Sequence, residues 1–110
     1  MKHLIQKAHK IAEEHGFHMP EGLNGVQKIH YKLAKVALMH SELSEAAEAI
    51  RKPDMKDHHL PKENPLGVEL ADAVIRIMDF CAEFDLDLEG LINKKMNYNA
   101  DRPYLHGKKA

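Results

Sequence analysis

Apolar residues recur along most of this chain at intervals of three and four, the spacing of one helix face. Leu4, Ile5, Ala8, Ile11 and Ala12 line such a face on a first helix, which Gly16 stops. A loop dense in turn formers, FHMPEGLNG, follows. Asn24 with Gln27 three positions later reads as a capping box that opens a second helix. This helix is expected to carry Val26, Ile29, Leu33, Ala37, Leu43, Ala47 and Ile50 inward and to end near Lys52, before Pro53. A polar, proline-punctuated link over 53–65 leads to Asn64 as a cap, with Pro65 in the first turn, where a missing N–H costs nothing. The third helix, Leu66 to about Phe84, is apolar over most of its circumference, which puts it at a bundle centre or in a subunit interface. Asp85 or Asp87 opens a fourth helix through Leu88, Leu91, Ile92 and Met96, and the tail from about residue 100 is expected to be irregular. No strand-like alternation appears, so the expected fold is all-α: four helices in a single domain spanning 1–110.

Composition narrows the class. With 44% hydrophobic and 30% charged residues the chain reads as globular, neither membrane-like nor disordered. A net charge of −1 lacks the basic surface that a nucleic-acid polymer requires. Cys81 is the only cysteine, which excludes an internal disulfide and a CxxC metal motif, and its apolar neighbours mark it as packing. Charges interrupt the N-terminal apolar residues every few positions, so no signal segment or membrane span is expected and the location inferred is cytoplasmic.

Two acidic pairs carry the candidate chemistry. Glu42 and Glu45 are spaced i, i+3 on the second helix; Glu69 and Asp72 are spaced i, i+3 on the third. That spacing sets both carboxylates of a pair on one face, about 5–6 Å apart at Cβ. On the second helix the row Leu38, Met39, Glu42, Glu45, Ala46, Ala49 is apolar on both sides of its acids. Like charges gathered in a partly buried place repel and lose solvation, so they persist with a compensating cation. An all-oxygen set suits Mg²⁺ or Mn²⁺ and suits Zn²⁺ poorly. The bland alternative is a pair of solvated faces; on the third helix Glu69, Asp72, Arg76, Asp79 and Glu83 do line up as one polar stripe.

The segments HSELSEAAEAIRK and GVELADAVIRIMDF resemble the signature of the MazG-like all-alpha nucleotide pyrophosphohydrolases, and the tail KKMNYNADRPYLHGKK resembles the end of small bacterial and phage members. The likeness spans about residues 22–107. It departs from the family's acidic doublet at Ser41. The resemblance implies a four-helix, oligomeric MazG-like bundle in which Glu42, Glu45, Glu69 and Asp72 hold Mg²⁺, with Mn²⁺ as a substitute. It further implies hydrolysis of a (d)NTP to (d)NMP and diphosphate, with Lys95, Asn99 and Arg102 meeting the triphosphate. Glu45 is the candidate general base toward water.

Base recognition is weakly encoded. Phe17 could stack on a base, with His18 and Asn24 offering hydrogen bonds; equally, Phe17 could pack inward as a helix-end staple. Di-iron chemistry is disfavoured by the lack of any ExxH. A zinc site at Asp57, His58 and His59 is disfavoured because adjacent loop residues share no helix face. The remaining alternatives are a phosphoribosyl-ATP pyrophosphohydrolase and a non-catalytic helical dimerisation module. A third helix this apolar implies a homodimer or homotetramer.

Overall fold

The computed structural model describes residues 1–103, and among these four α-helices and no strand occur: α1 (Lys2–Glu14), α2 (Gly25–Arg51), α3 (Pro65–Glu83) and α4 (Leu88–Ala100). The bounds follow local chemistry. Gly16, at φ +76°, takes the left-handed conformation that ends α1. Asn24 Oδ1 accepts from the Gln27 N–H at 2.9 Å, and the Gln27 side chain accepts from the Asn24 N–H at 3.0 Å, so the capping box is complete. Asn64 caps α3 through the Gly67 N–H with Pro65 in the first turn. Asp87, not Asp85, caps α4, accepting from the Gly90 N–H at 3.1 Å. Asp85 instead sits at φ +54°, in the tight link from α3.

α3 is the central element, packed against both α1 and α2; α4 makes only marginal contact with the rest. The buried apolar positions are Ala8, Ala46, Ala73, Met78 and Cys81, three of them alanines that let helix axes approach closely. Burial also pushes the Cys81 thiol up, as suits an inert packing residue.

One expectation for α2 is reversed. Val26, Ile29, Leu33, Ala37, Leu43 and Ile50, assigned inward from periodicity, are exposed, with Val26 at 65%, Leu33 at 63% and Ile50 at 66%; Ala47 is half-buried. The opposite face, bearing Met39, Glu42 and Ala46, turns toward the protein instead. The physical reason is that α2 has two apolar faces and the rest of the chain supplies a neighbour for only one. The outward face is a heptad seam: Val26, Ile29, Leu33, Val36, His40, Leu43, Ala47 and Ile50 alternate steps of three and four over almost the full helix.

The protomer is correspondingly open. Its radius of gyration is 16.9 Å, against about 13 Å for a compact domain of this length. Its accessible surface is 8823 Å², against roughly 6,200 Å² for a closed monomer of this mass.

Candidate metal centre

The helix pair α2–α3 brings the sequence-predicted acids together. One carboxylate oxygen from each of Glu42, Glu69 and Asp72 lies within 4.8 Å of the others. Glu42 is only 8% exposed, while Glu69 and Asp72 are half-buried. Glu45, one turn further along α2, is exposed and lies beside Glu69. Ser41 takes no part: its hydroxyl donates to the Leu38 carbonyl at 2.7 Å, turned onto its own helix.

Electrostatics in this cluster run one way. Burial first, then the neighbouring Glu45, Asp72 and Glu42, push the Glu69 carboxyl up to about 7. Asp72 is raised as well, by burial and by Glu42, Asp57 and Glu45, with Arg76 opposing. Among the described residues the only cation paired with any of the four acids is Arg76, whose Nε donates to Glu42 Oε1 at 2.9 Å. Four carboxylates against one guanidinium leave a negative excess. Among these acids, Glu69 Oε2 is a buried oxygen without a hydrogen-bond partner. With both carboxylates ionised, Glu69 and Glu45 have nothing to share; a proton on one would join them, and so would a cation.

That orphaned oxygen, and a donor set made wholly of carboxylates, fit a hard divalent cation. A stability consequence follows for the metal-free protein. Glu69 binds its proton more tightly folded, with its carboxyl at about 7, than unfolded, near 4.5. The folded state therefore holds more protons between those values, and stability present below about 4.5 is lost as pH rises through about 7. Thermal melts in chelator are expected to show Tm falling across this window relative to Glu69→Gln, with millimolar Mg²⁺ removing the difference. Parallel Tm curves for the two proteins would contradict it.

The polar stripe of α3 is divided between two places. Glu69, Asp72 and Arg76 join Glu42 at one end, whereas Asp79, 9% exposed, and Glu83 turn to α1 and to the loop after it. It is therefore not a solvated face. Between the two ends runs a cavity of about 910 Å³. Glu42, Asp72 and Arg76 border it at one end, Phe17, His15 and Lys35 also line it, and Leu4 and Ile11 of α1 form an apolar wall.

The Phe17 ring is 63% exposed and borders this cavity, so it is not a staple into the core. Its backbone is held by Lys35 Nζ, donating to the Phe17 carbonyl at 2.7 Å, and by the Tyr31 hydroxyl at 3.3 Å. The other two residues suggested for base contact are engaged elsewhere: Asn24 caps α2 and His18 hydrogen-bonds to Asp79. Lys95, Asn99 and Arg102 lie exposed or half-exposed at the end of α4 and just beyond it, and none lines the cavity. Lys95 Nζ and the Arg102 guanidinium stack on Tyr98, 4.7 and 5.5 Å from its ring centre. Asp57 accepts from the His59 and Leu60 N–H groups, closing a turn, so Asp57, His58 and His59 form no metal cluster. The tail from residue 104 lies outside the described residues.

Sequence alone singles out neither Arg76, Lys35 nor His9, and names His18 only for base contact. Arg76 was hidden within the polar stripe, although its place four residues after Asp72 could have indicated it. No helix among the described residues is long and apolar enough to cross a membrane. Compared with protein-family models, curated proteins and solved structures, the chain matches none.

Proposed function

We propose that this protein is a Mg²⁺-dependent nucleoside triphosphate pyrophosphohydrolase of the MazG-like type, working as a homo-oligomer. The observation that carries the reading is the buried, partnerless Oε2 of Glu69, set among Glu42 and Asp72 beside a large cavity. A helix adaptor has no use for a desolvated carboxylate cluster; a hydrolase acting on a polyanion needs a place to collect divalent charge.

Glu42, Glu69 and Asp72 would hold the metal, which supplies charge neutralisation of the phosphates and a more acidic water. Glu45, exposed and outside the tight triad, is free to accept a proton from that water. Arg76 would exchange part of its contact with Glu42 for a phosphate oxygen, since it borders the same cavity. Lys35 and the exposed ring of Phe17 lie farther along that cavity, where a ribose and base would extend. Stacking on one aromatic face contributes about 1–3 kcal/mol and tolerates every base.

Oligomerisation completes the reading. The surface in excess of a closed monomer is larger than the ~800 Å² per partner of a standard interface. The seam of α2 is suited to a second copy of itself, because it is apolar at every position but His40 over almost the full helix. Any role of Lys95, Asn99 and Arg102 toward a triphosphate then falls to a neighbouring copy, as α4 stands away from the acids of its own chain.

The test is a pyrophosphate-release assay over the NTPs, the dNTPs and phosphoribosyl-ATP. Monophosphate and diphosphate are expected in equal amounts, only with Mg²⁺ or Mn²⁺. Turnover of phosphoribosyl-ATP alone would move the reading to the related hydrolase. Indifference of both activity and Tm to divalent ions would leave the dimerisation module.

A further inference from the structure

A second cluster, away from the four acids, brings two imidazoles together with two carboxylates. His9 of α1 and His18 of the following loop stack with ring centres 4.5 Å apart. Both rings address the same oxygen of Asp79: His9 Nδ1 lies 3.3 Å from Asp79 Oδ1 and His18 Nε2 lies 2.9 Å from it. Asp79 is 9% exposed, and an N–H donated to its oxygen from each ring satisfies that buried acceptor. This arrangement corresponds to one tautomer of each ring. Each neutral imidazole is left with a lone pair on its other nitrogen, His9 Nε2 and His18 Nδ1.

Those two nitrogens converge on one further group. His9 Nε2 is 3.6 Å and His18 Nδ1 3.8 Å from Glu13 Oε2, and one ligand atom from each of the three residues lies within 4.8 Å of the others. Two lone pairs facing a carboxylate repel it unless something positive stands between them. Ligands at ~2.0–2.2 Å around a tetrahedral zinc ion stand roughly 3.3–3.5 Å apart, so the two nitrogen-to-Glu13 separations need to close by only a few tenths of an ångström, with the stacked rings turning toward the ion. Charge agrees too, since Asp79 and Glu13 together carry the two negative charges that one divalent ion balances.

We infer that His9, Glu13 and His18 form a transition-metal site of the zinc class, with Asp79 orienting both imidazoles from behind. A buried carboxylate that accepts the second N–H of a ligating histidine is the usual support for such a ligand. Glu83 is not a ligand: its oxygens accept from the Met19 N–H at 2.7 Å and from the Tyr31 hydroxyl at 3.1 Å, which leaves it holding the loop. Imidazole donors prefer zinc, cobalt and nickel to magnesium, so this site and the four-carboxylate centre select different ions. A metal here ties the loop to α1 and, through Asp79, to α3, one residue from the Phe17 that borders the cavity. Three protein ligands leave a fourth position open.

The experiment is a Zn²⁺ titration of the full-length, tag-free chain at pH 7.5 against a chromophoric chelator, repeated with Co²⁺ for its tetrahedral d–d absorption. Wild type is expected to bind one ion per chain in competition with the chelator. Glu13→Gln and His9→Gln are expected to lose at least ~10²-fold in affinity, and Asp79→Asn roughly 10–100-fold. His58→Gln, at a histidine in none of these clusters, should bind Zn²⁺ as wild type does. Glu13 is the decisive position, because its side chain is 68% exposed and its replacement leaves the fold intact. Zn²⁺ bound equally by wild type and Glu13→Gln, or not bound at all, overturns the assignment, since the seven other histidines would then account for any uptake.

Discussion

Glu69→Gln is expected to reduce pyrophosphate release by roughly 10²–10³-fold while making the metal-free protein more stable above pH 7. The two effects have one cause. The wild-type carboxylate is desolvated and faces Glu45, Asp72 and Glu42, which holds its ionisation up to about 7, and its Oε2 has no partner. A neutral amide of the same shape removes the repulsion and can donate to a neighbouring carboxylate. On the proposed reading it also removes a metal ligand, and losing electrostatic stabilisation of this kind commonly costs ~2.7–4 kcal/mol in the transition state. Site and stability thus oppose each other at one residue, as expected where function needs an arrangement that the fold would otherwise avoid. Chelator melts at pH 8, Mg²⁺ titration by calorimetry and the release assay check the three parts together. A variant that keeps wild-type turnover would remove Glu69 from the chemistry altogether.

The second large effect concerns the seam of α2. On the proposed homo-oligomer reading, Leu33→Glu combined with Leu43→Glu is expected to leave single chains and to lower stability sharply. In an isolated protomer both side chains are exposed, so substitution there should change stability by only about 0.5 kcal/mol each. If a second copy covers the seam, each substitution removes a buried leucine, for which truncation alone costs about 2–5 kcal/mol, and introduces a charge as well. The two expectations are far enough apart for a denaturation curve to decide between them. Sedimentation supplies the independent readout, with wild type sedimenting as a dimer or larger at micromolar concentration. His40, the one polar residue in the seam, is expected to set its register, as single polar residues do in helix pairs.

The legible and the illegible parts of this protein divide by the range of the interactions involved. Asn24 with Gln27, Asn64 with Pro65, and Gly16 are local devices, each complete within four residues, and every one acts as its sequence implies. The acidic pairs were readable for a similar reason: i, i+3 spacing sets Glu42 with Glu45 and Glu69 with Asp72 on shared faces before any packing occurs. The row of apolar and small residues around Glu42 marked its acids as set into an apolar stripe, and Glu42 and Ala46 of that row are buried.

Other features depended on distant parts of the chain. α2 has two apolar faces, and periodicity alone offers no means of ranking them; the pairing with α3 selects the one carrying Glu42 and leaves Val26, Leu33 and Ile50 outside. Asp79 reads in sequence like any acid on a helix, yet its surroundings come from His9 and His18, 70 and 61 positions away. Arg76 meets Glu42 across 34 residues. By itself the sequence determined where helices begin and end and which carboxylates travel together, because backbone hydrogen bonds and helical pitch act over one or two turns. Only tertiary structure decided which face of each helix is covered and which charges become neighbours, because those outcomes depend on the relative placement of helices that the local chain does not contain.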